Sequence, residues 1–383
     1  MATLIVEFSD YIADSGPAVV PLEILDSELR RVAGVPQSIT LNQPTRIDLP
    51  SGDYLVRAFL PNGDVVSEQA QVSADETKLV PLVPEQSSPM ESMAWGYILK
   101  APMRSCGPYP MDGYAAVPDV TDEDVRISVW DAEDGNWQRR DNSVLEVFDR
   151  QLPGSYGWTE LSTYSTLVSL RVEGIGPTRF VSLPPTFNVR INFRHAPLDD
   201  DDPLDVIVDS GNPRAETILE FLRRGDFAHA RVIGSEFAQS AEQLLFNKMV
   251  DLPGATIGGY FLLLAGEFDR MHDWTHNLDE RFPFLPDGAV ISGWRYLREG
   301  KPDFALARQR FLEAASRGLP VYTSGLRLLH DGLTMMSSRA RQETKSIDEA
   351  VESALRRLRP YAANADWTSA TTSFYGERPP LAE

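Results

Sequence analysis

The sequence predicts a multidomain α+β protein in which two tandem β-sandwich-like domains precede an all-α domain of stacked helical hairpins. Residues 1–209 contain short runs of alternating apolar and polar residues, separated by turns rich in proline and glycine. Residues 210–360 instead carry apolar residues at helical spacing. A short phrase with a glycine, an acidic residue and a phenylalanine recurs there three times, around Gly225, Gly266 and Gly300. Because glycine often follows the end of a helix and acidic residues often start one, this recurrence indicates consecutive stacked helices.

The expected boundaries are 1–85 and 90–209 for the β domains, 210–360 for the helical domain and 361–383 for a tail. A chain of 383 residues is longer than one ordinary core requires, which favours several domains. The hydrophobic fraction of 42% and the charged fraction of 24% are typical of a globular chain and not of a disordered one.

Features of the termini and of cysteine usage predict a cytoplasmic protein. The N-terminus has apolar residues but no basic segment and no long apolar core, and Glu7 interrupts it. No apolar run reaches the roughly 18 residues that a membrane-spanning helix needs, so no membrane partner is expected. Cys106 is the single cysteine, which excludes an intrachain disulfide and fits a reducing compartment.

The net charge of −20 comes mostly from residues 1–209, whereas residues 210–383 are close to neutral. A surface of this sign repels phosphate backbones, so no nucleic-acid partner is expected. The acidity serves solubility or steers a basic partner, and we favour solubility because acidic surfaces are common in soluble proteins.

The first β domain is indicated by alternating apolar positions such as Leu4, Val6 and Phe8, and by a turn at Pro61-Asn-Gly63-Asp64. Its phrase Ile47-Asp-Leu-Pro-Ser-Gly-Asp-Tyr-Leu-Val-Arg57 resembles the carboxypeptidase-regulatory and PEGA-type β domains, in which a similar proline-glycine-tyrosine turn precedes a strand. That resemblance covers about eighty residues and implies a non-catalytic β-sandwich.

The second β domain follows a linker-like stretch at 84–89 and repeats the strand pattern. Its predicted strands are Ala94–Leu99, Arg126–Trp130, Leu145–Phe148, Thr166–Val172, Arg179–Leu183 and Phe187–Arg194. The stretch from Thr178 to Arg190 can be aligned on that from Thr45 to Arg57, allowing single-residue gaps. Two readings stay open: the domains are a tandem pair of related sandwiches, or any two strands joined by a proline turn look alike.

Three motifs in the β half could carry chemistry. Asp199–Asp202 with Asp205 could bind calcium, but the run lacks the spacing and the glycine of a calcium loop, so a solvated linker is favoured. Asp131–Gly135 is better interpreted as a hairpin turn than as a calcium loop. Cys106 has no identifiable histidine partner in the sequence, so a catalytic cysteine is disfavoured.

The helical half is predicted from apolar spacing and from start and stop signals, beginning at Asn212-Pro213, where asparagine caps and proline occupies the first turn. A helix from Asp226 and a segment at 239–249 follow. The remaining predicted helices are Gly254–Ala265, Glu267–Phe282, Ala289–Glu299, Phe304–Arg317, Leu319–Leu333 and Ile347–Leu358. The apolar residues of Gly254–Ala265 place that helix inside the stack.

The spacing from Gly266 to Gly300 is 34 residues, the period of tetratricopeptide repeats. The segment Ala289–Arg317 resembles such a repeat. It departs from the family pattern in having no tyrosine after the glycine and no proline at the end of the second helix. The matching positions are Trp294, Leu297, Gly300, Phe304, Ala307, Phe311 and Ala314. The resemblance implies an α-solenoid whose first helices line a concave face for a peptide or a partner domain.

His272 and His276 form the one pair in this half with possible metal chemistry. Two histidines four residues apart on a helix share a face and can bind zinc, as in H-E-x-x-H metallopeptidases. Here Asp273 stands where those enzymes carry glutamate, and its shorter side chain reaches a bound water poorly. The alternative is a repeat helix with Trp274 in the core and both histidines on the surface, which we favour.

The function predicted from the sequence is that of a non-enzymatic adaptor or scaffold, with no cofactor, which binds partner proteins through the repeats and the β domains. The expected partner is a peptidase or another effector, in a bacterial multiprotein stress or defence system, and the chain could itself be a protease substrate cut near Asp199–Asp205. The alternative is a metal-dependent hydrolase that uses His272 and His276. The candidate partner-binding residues are Trp294, Arg295, Arg298, Trp367, Phe374 and Tyr375, of which the last three either dock back on the repeats or bind a partner.

Overall fold

A computed structural model gives the architecture and divides the chain into two compact units, Met1–Gly113 with Gly211–Ser240 and Tyr114–Ser210 with Ala241–Glu383. The N-terminal part is rich in β-sheet and the C-terminal part is helical, which confirms the α+β multidomain class. The structure describes residues 2–8, 19–36, 38–40, 43–59, 65–83, 125–133, 136–140, 145–147, 155–158, 166–172, 175–186, 189–195, 204–209, 212–224, 238–343, 345–376 and 379.

Among its described residues, the first unit has two sheets and the helix that begins at Pro213. Its strands are β1 (Ala2–Phe8), β2 (Val19–Leu25), β3 (Ser38–Thr40), β4 (Thr45–Leu49), β5 (Gly52–Phe59), β6 (Val65–Val72) and β7 (Thr77–Leu82). One sheet has the order β4-β1-β7 with β1 parallel to β7, and the other has the order β3-β2-β5-β6. Alternate residues of both sheets are buried in one hydrophobic cluster, including Leu4, Val80, Ile24 and Val56. Two sheets therefore share one apolar core, as period-two patterning requires.

The proline-glycine-tyrosine turn of the first unit has a clear physical basis. The hydroxyl of Tyr54 donates to the carbonyl oxygen of Pro50 at 3.0 Å. The ring lies over Gly52, where an added Cβ would lie 3.6 Å from it. Burial of the ring raises the pKa of the Tyr54 hydroxyl. The tyrosine therefore pins the turn to the strand that follows it.

The helix of the first unit, α1 (Pro213–Arg224), begins as predicted. The side-chain oxygen of Asn212 accepts hydrogen bonds from the backbone N–H groups of Arg214 and Ala215, at 3.1 and 3.3 Å. This is an N-cap, which satisfies donors that have no partner inside the helix.

The described residues of the second unit form two antiparallel sheets. The strands are β8 (Val125–Glu133), β9 (Asn136–Arg140), β10 (Leu145–Val147), β11 (Ser155–Trp158), β12 (Thr166–Val172), β13 (Ile175–Leu183), β14 (Val189–His195), β15 (Leu204–Asp209) and β16 (Ser373–Gly376). They form a four-stranded sheet, β10-β11-β14-β15, and a five-stranded sheet, β16-β13-β12-β8-β9. Thr166–Val172 coincides with its predicted strand, whereas the strand predicted at Ala94–Leu99 lies outside the described residues.

The helices that follow are α2 (238–246), α3 (Leu252–Ala265), a 3₁₀ turn (Phe268–Met271), α4 (Trp274–Arg281), α5 (Pro286–Arg298), α6 (Phe304–Arg317), α7 (Thr323–Glu343) and α8 (Glu349–Asn364). As predicted, α3 is enclosed, since its residues from Leu252 to Leu263 are all buried. No helix among the described residues is both long enough and apolar enough to cross a membrane.

Two of the three recurring glycines end helices as predicted. Gly266 has φ 78° and follows α3, and its N–H and that of Glu267 bond back to carbonyl groups of the last turn of α3. Gly300 has φ 64° just after α5. Both conformations favour glycine because a side chain there is strained. Gly225 lies outside the described residues.

The prediction of a single amphipathic helix over Glu267–Phe282 is wrong. The chain forms the short 3₁₀ turn, breaks at His272, which has φ 45° and ψ −147°, and starts α4 at Trp274. The backbone at His272 is in a region that glycine favours and that costs energy for other residues. The apolar spacing in this stretch therefore arose from two short elements and not from one helix.

Phe311 of α6 is the centre of the packing between α5, α6 and α7. An added Cβ at Gly293 of α5 would lie 2.6 Å from the ring, and one at Gly332 of α7 would lie 2.7 Å from it. The two glycines let both helices approach opposite parts of a ring that is fully buried. In addition α8 packs against α6 and α7.

The stretch expected to be a tail is part of the second unit. The segment after α8 turns back, and β16 pairs antiparallel with β13, placing Phe374 opposite Phe180. The two rings stack with centroids 5.3 Å apart. The sequence suggested a domain boundary between residues 209 and 210, whereas in the structure these strands and the last helices are joined in one compact unit.

Candidate protein-binding surface

The two histidines with possible metal chemistry are held by different carboxylates. His272 lies before the first residue of α4, and its Nε2 is 2.8 Å from an oxygen of Glu242. His276 lies within α4, with its Nε2 3.1 Å from Glu280. The hydrogen bond from His272 lowers the pKa of the Glu242 carboxyl. Because α4 begins at Trp274, the shared helix face expected from the spacing of four residues is not formed.

Arg295, one of the predicted partner-binding residues, is committed to contacts within the second unit. Its guanidinium pairs with Glu299 at 2.5 Å, donates to the hydroxyl of Thr275 at 2.7 Å and donates to the carbonyl oxygen of His272. It therefore fixes the strained backbone between the 3₁₀ turn and α4.

Trp294 and Arg298 form a stacked pair at the end of α5. The indole N–H of Trp294 donates to the carbonyl oxygen of Leu328 in α7 at 2.8 Å, and its ring lies edge-on to Phe311. The guanidinium of the exposed Arg298 lies 4.8 Å from the centre of the Trp294 ring. Desolvation lowers the pKa of Arg298. Trp294 thus ties α5 to α7, and Arg298 is accessible beside it.

The three aromatic residues of the C-terminal segment have different environments. Phe374 is 1% exposed and belongs to the core. Tyr375 is half-buried, with its hydroxyl 3.1 Å from Arg179. Trp367 is half-buried beneath the guanidinium of Arg327, 5.4 Å from its ring centre. Phe374 therefore packs back on the unit, against Phe180, and is not available to a partner. For Trp367 and Tyr375 the partner-binding role stays a prediction.

A cluster of exposed apolar side chains stands next to α4. Phe246, Met249 and Val250 expose 55%, 66% and 89% of their surfaces, and Phe246 packs on the half-buried ring of Trp274 with centroids 5.1 Å apart. These four residues are called the apolar patch below. Large apolar side chains exposed close together in the chain are typical of surfaces that bind another protein.

The turn that presents the apolar patch is closed by backbone hydrogen bonds. The N–H groups of Val250 and Asp251 both donate to the carbonyl oxygen of Asn247, at 2.8 and 3.0 Å. The carboxylate of Asp251 then caps α3 by accepting from the N–H of Gly254 at 2.9 Å. Met249 and Val250 are therefore exposed on a hydrogen-bonded turn between α2 and α3.

Two cations border the apolar patch, and we call Lys248 and Arg281 the cationic pair. The ammonium of Lys248 lies 5.6 Å from the ring centre of Trp274, and Arg281 reaches the sulfur of Met249 at 3.9 Å. Lys248 is 7% exposed. Burial, and secondly the charge of Arg281, lower the pKa of Lys248.

Asp287 is a fully buried carboxylate whose hydrogen bonds stabilise the fold. Its buried carboxylate accepts from the hydroxyl of Tyr260 at 2.8 Å and from the N–H groups of Val321 and Tyr322 at 2.8 and 3.4 Å. Burial raises the pKa of Asp287 to about 6, although these hydrogen bonds oppose the shift. Gly325 allows this approach, because an added Cβ would lie 2.2 Å from the Tyr260 oxygen.

Within the described part of the chain, no group of three or more His, Cys, Asp and Glu residues is arranged to hold a metal ion. A cavity of about 10 Å³ beside Ser182, Phe284 and Leu319 has room for about one water molecule. Cys106 and Asp199–Asp202 lie outside the described residues.

Sequence reasoning missed Phe246, Met249, Val250 and the cationic pair, and it placed Trp274 in the core, whereas the structure has this residue half-buried. The predicted helical segment at 239–249 covers Phe246, Lys248 and Met249, but its apolar spacing does not indicate which of its side chains are exposed. The one available signal was the phrase Asn247-Lys-Met-Val-Asp251-Leu-Pro253, in which apolar residues stand directly before a cap and a proline. Periodicity cannot tell whether such residues are covered.

Comparison with known families gives one match. Residues 217–383, less than half of the chain, match the family described as the Y4kD C-terminal domain. The match includes β16 but not its partner strand β13. Neither the curated proteins nor the solved structures give a significant match.

Proposed function

We propose that this protein is a non-enzymatic adaptor that binds a partner protein through its helical part, with the apolar patch as the binding surface. The observation that carries the proposal is the exposure of Phe246, Met249 and Val250 on a hydrogen-bonded turn beside Trp274. Covering these side chains removes apolar surface from water, and this contributes about 25 cal/mol per Å². Aromatic residues and methionine are also enriched in protein interfaces.

The packing of the last four long helices supports a tetratricopeptide-like arrangement. The helices α5 and α6 pack as one hairpin and α7 and α8 as a second, with α7 contacting both helices of the first. Phe311 and Trp294, two positions that carry the resemblance, bridge these hairpins. Stacked hairpins are suited to holding partner segments, and Arg298 on Trp294 offers a second, smaller contact.

The adaptor role is tested by comparing the proteins retained by three forms of the full chain in extracts of the source cells. The patch variant combines Phe246→Ser and Met249→Ser. The control variant combines Leu306→Ser and Ile347→Ser, which are exposed apolar residues elsewhere in the unit. We expect a defined protein to be retained by the wild type and the control, to be lost with the patch variant and to bind when purified. Retention that is the same in all three forms would refute the role of the patch.

The hydrolase alternative has a direct test in metal content. A zinc site built on His272 and His276 would give about one zinc per chain, and His272→Ala would remove it. We expect no such change, because the two histidines contact different carboxylates and lie in different elements. Stoichiometric zinc that is lost in this variant would replace the adaptor proposal with the enzyme.

A further inference from the structure

We propose that the partner supplies a carboxylate to the cationic pair while its apolar side chains cover the apolar patch, so that the bound segment is both acidic and apolar. This inference rests on the adaptor function proposed above and specifies the chemistry of the partner. It follows from the burial of Lys248, from the pairing of the neighbouring arginines and from the position of Arg281.

Within the described part of the chain, Lys248 has no carboxylate of the kind that normally accompanies a buried lysine. At 7% exposure, its ammonium has a distant carbonyl oxygen, that of Leu245 at 3.4 Å, and the face of Trp274 as neighbours. Among the described residues no carboxylate lies within ion-pair distance of it. A desolvated ammonium without an anion is costly, and lysine is rarely buried unless it is paired. An incoming carboxylate would remove that cost.

Arg281 differs from two arginines of the same unit, Arg270 and Arg295, which are paired with carboxylates. Arg270 pairs with Glu242 at 2.7 Å, and Arg295 pairs with Glu299 at 2.5 Å. The exposed Arg281 has no carboxylate partner within the described part of the chain, and its one polar neighbour there is the sulfur of Met249. Its charge also lowers the pKa of Lys248, so the two cations repel each other. One carboxylate between them would be attracted by both.

The cationic pair and the apolar patch are parts of one surface. Arg281 contacts Met249, and Lys248 lies over Trp274, which in turn packs on Phe246. A segment that covers these apolar side chains therefore passes over the cations as well. A segment without an anion would bury two cations further and lose affinity.

Two labelled peptides of about 15 residues test this chemistry by fluorescence polarisation with the full chain. One is a helical peptide with leucines on one face and glutamates elsewhere, and in the other every glutamate is lysine. We expect the glutamate peptide to bind at least about tenfold more tightly than the lysine peptide does, and we expect its affinity to fall as the salt concentration rises. The net charge of −20 would by itself favour the lysine peptide, so general electrostatics predict the reverse order. Equal binding, or tighter binding of the lysine peptide, would overturn the proposal.

Variants separate this inference from the adaptor function. The charge variant combines Lys248→Gln with Arg281→Gln, and we expect it to bind the glutamate peptide about tenfold more weakly than the wild type does. The control is Arg341→Gln, which changes an exposed arginine elsewhere and should leave the affinity for this peptide unchanged. If the cellular partner is lost with the patch variant but binds the charge variant normally, the acidic partner is refuted and the adaptor role stands. If the patch variant also retains the same proteins as the wild type, both proposals fail.

Two other occupants of the apolar patch, a membrane surface and a second copy of this chain, are distinguished by vesicle binding and by sedimentation. Binding of the full chain to vesicles of anionic phosphatidylglycerol that depends on Phe246, without any preference for the glutamate peptide, would replace the acidic protein with a membrane surface. Concentration-dependent dimerisation in sedimentation that is abolished in the patch variant, with no peptide binding, would replace it with a second copy of this chain. Selective binding of the glutamate peptide by a chain that is monomeric in solution supports the proposal.

Discussion

The buried Arg179 and the half-buried Asp366 form an ion pair that joins the five-stranded sheet to the segment after α8. The guanidinium of Arg179 is 1% exposed and donates to Asp366 at 2.6 Å. It also donates to the hydroxyl of Ser373 at 2.9 Å and lies over the ring of Tyr375. Burial raises the pKa of Asp366, but hydrogen bonds from Thr368 and the charge of Arg179 outweigh it, so the pKa lies below the ordinary value. The carboxylate is thus held charged opposite the arginine.

Replacing this arginine is expected to destabilise the second unit. In Arg179→Met the carboxylate of Asp366 would remain partly buried without its cation, which typically costs about 3–5 kcal/mol. Tryptophan fluorescence during urea unfolding reports this loss, because six of the seven tryptophans belong to the second unit. The control is Arg171→Met on the neighbouring strand β12, where the side chain is exposed. A loss below about 1 kcal/mol, equal to that of the control, would contradict the role assigned to the pair.

A fragment limited to residues 217–383, the matched region, is expected to fold poorly. It would lack β13, so Phe374 would lose the stacked ring of Phe180, and β16 would have a free edge. We expect it to bind a hydrophobic dye and to melt at lower temperature than a fragment of residues 114–383. Equal melting temperatures and no dye binding would show that the helices fold without the sheet.

How much the sequence could predict depended on whether the controlling interaction was local. The helix Phe304–Arg317 has its predicted bounds because Asp303 caps it through bonds to the N–H groups of Ala305 and Leu306. The end of α3 at Gly266 was equally clear, since a left-handed residue there favours glycine. Such signals lie within a few residues of the feature that they specify.

Contacts between distant parts of the chain could not be inferred in this way. Phe374 and Tyr375 were expected either to dock back on the repeats or to bind a partner. Their pairing with β13 could not be inferred, because 194 residues separate Arg179 from Ser373, to which it donates. The break at His272 depends on Arg295 from another helix. For the candidate site, the apolar residues after Phe246 matched a buried helix face as well as an exposed one, because burial depends on what lies opposite.

Substitution of Gly332 by alanine tests the packing around Phe311. The new methyl carbon would lie 2.7 Å from the ring, and such crowding typically costs about 1–3 kcal/mol. In a Phe311→Leu background the same substitution should lose this penalty and gain up to about 1 kcal/mol from the better helix propensity of alanine. Urea unfolding of the four proteins gives the coupling energy. A Gly332→Ala effect that is equal in both backgrounds would show that the ring does not limit this position.

The last prediction concerns Asp287, whose pKa is raised from 3.8 to about 6 because it is buried. Between those values the unfolded chain has released the proton while the folded chain keeps it, so stability falls as pH rises from about 4 through 6. A shift of about 2 units corresponds to about 3 kcal/mol. Above pH 6 the full cost is present, and below pH 4 it is absent.

The comparison with Asp287→Asn isolates this group, because carboxyls with lowered pKa values, such as Glu242 and Asp366, titrate in both proteins and cancel. We take the free energy of unfolding of Asp287→Asn minus that of the wild type, measured by urea unfolding at each pH. This difference should be larger at pH 7 than at pH 4 by up to about 3 kcal/mol, because only the wild type carries the buried charge at pH 7. The exposed Asp331→Asn should show no such trend. A difference between Asp287→Asn and the wild type that stays constant from pH 4 to 7 would mean that Asp287 has the same pKa in both states, and that its hydrogen bonds from Tyr260 and Val321 fully compensate its burial.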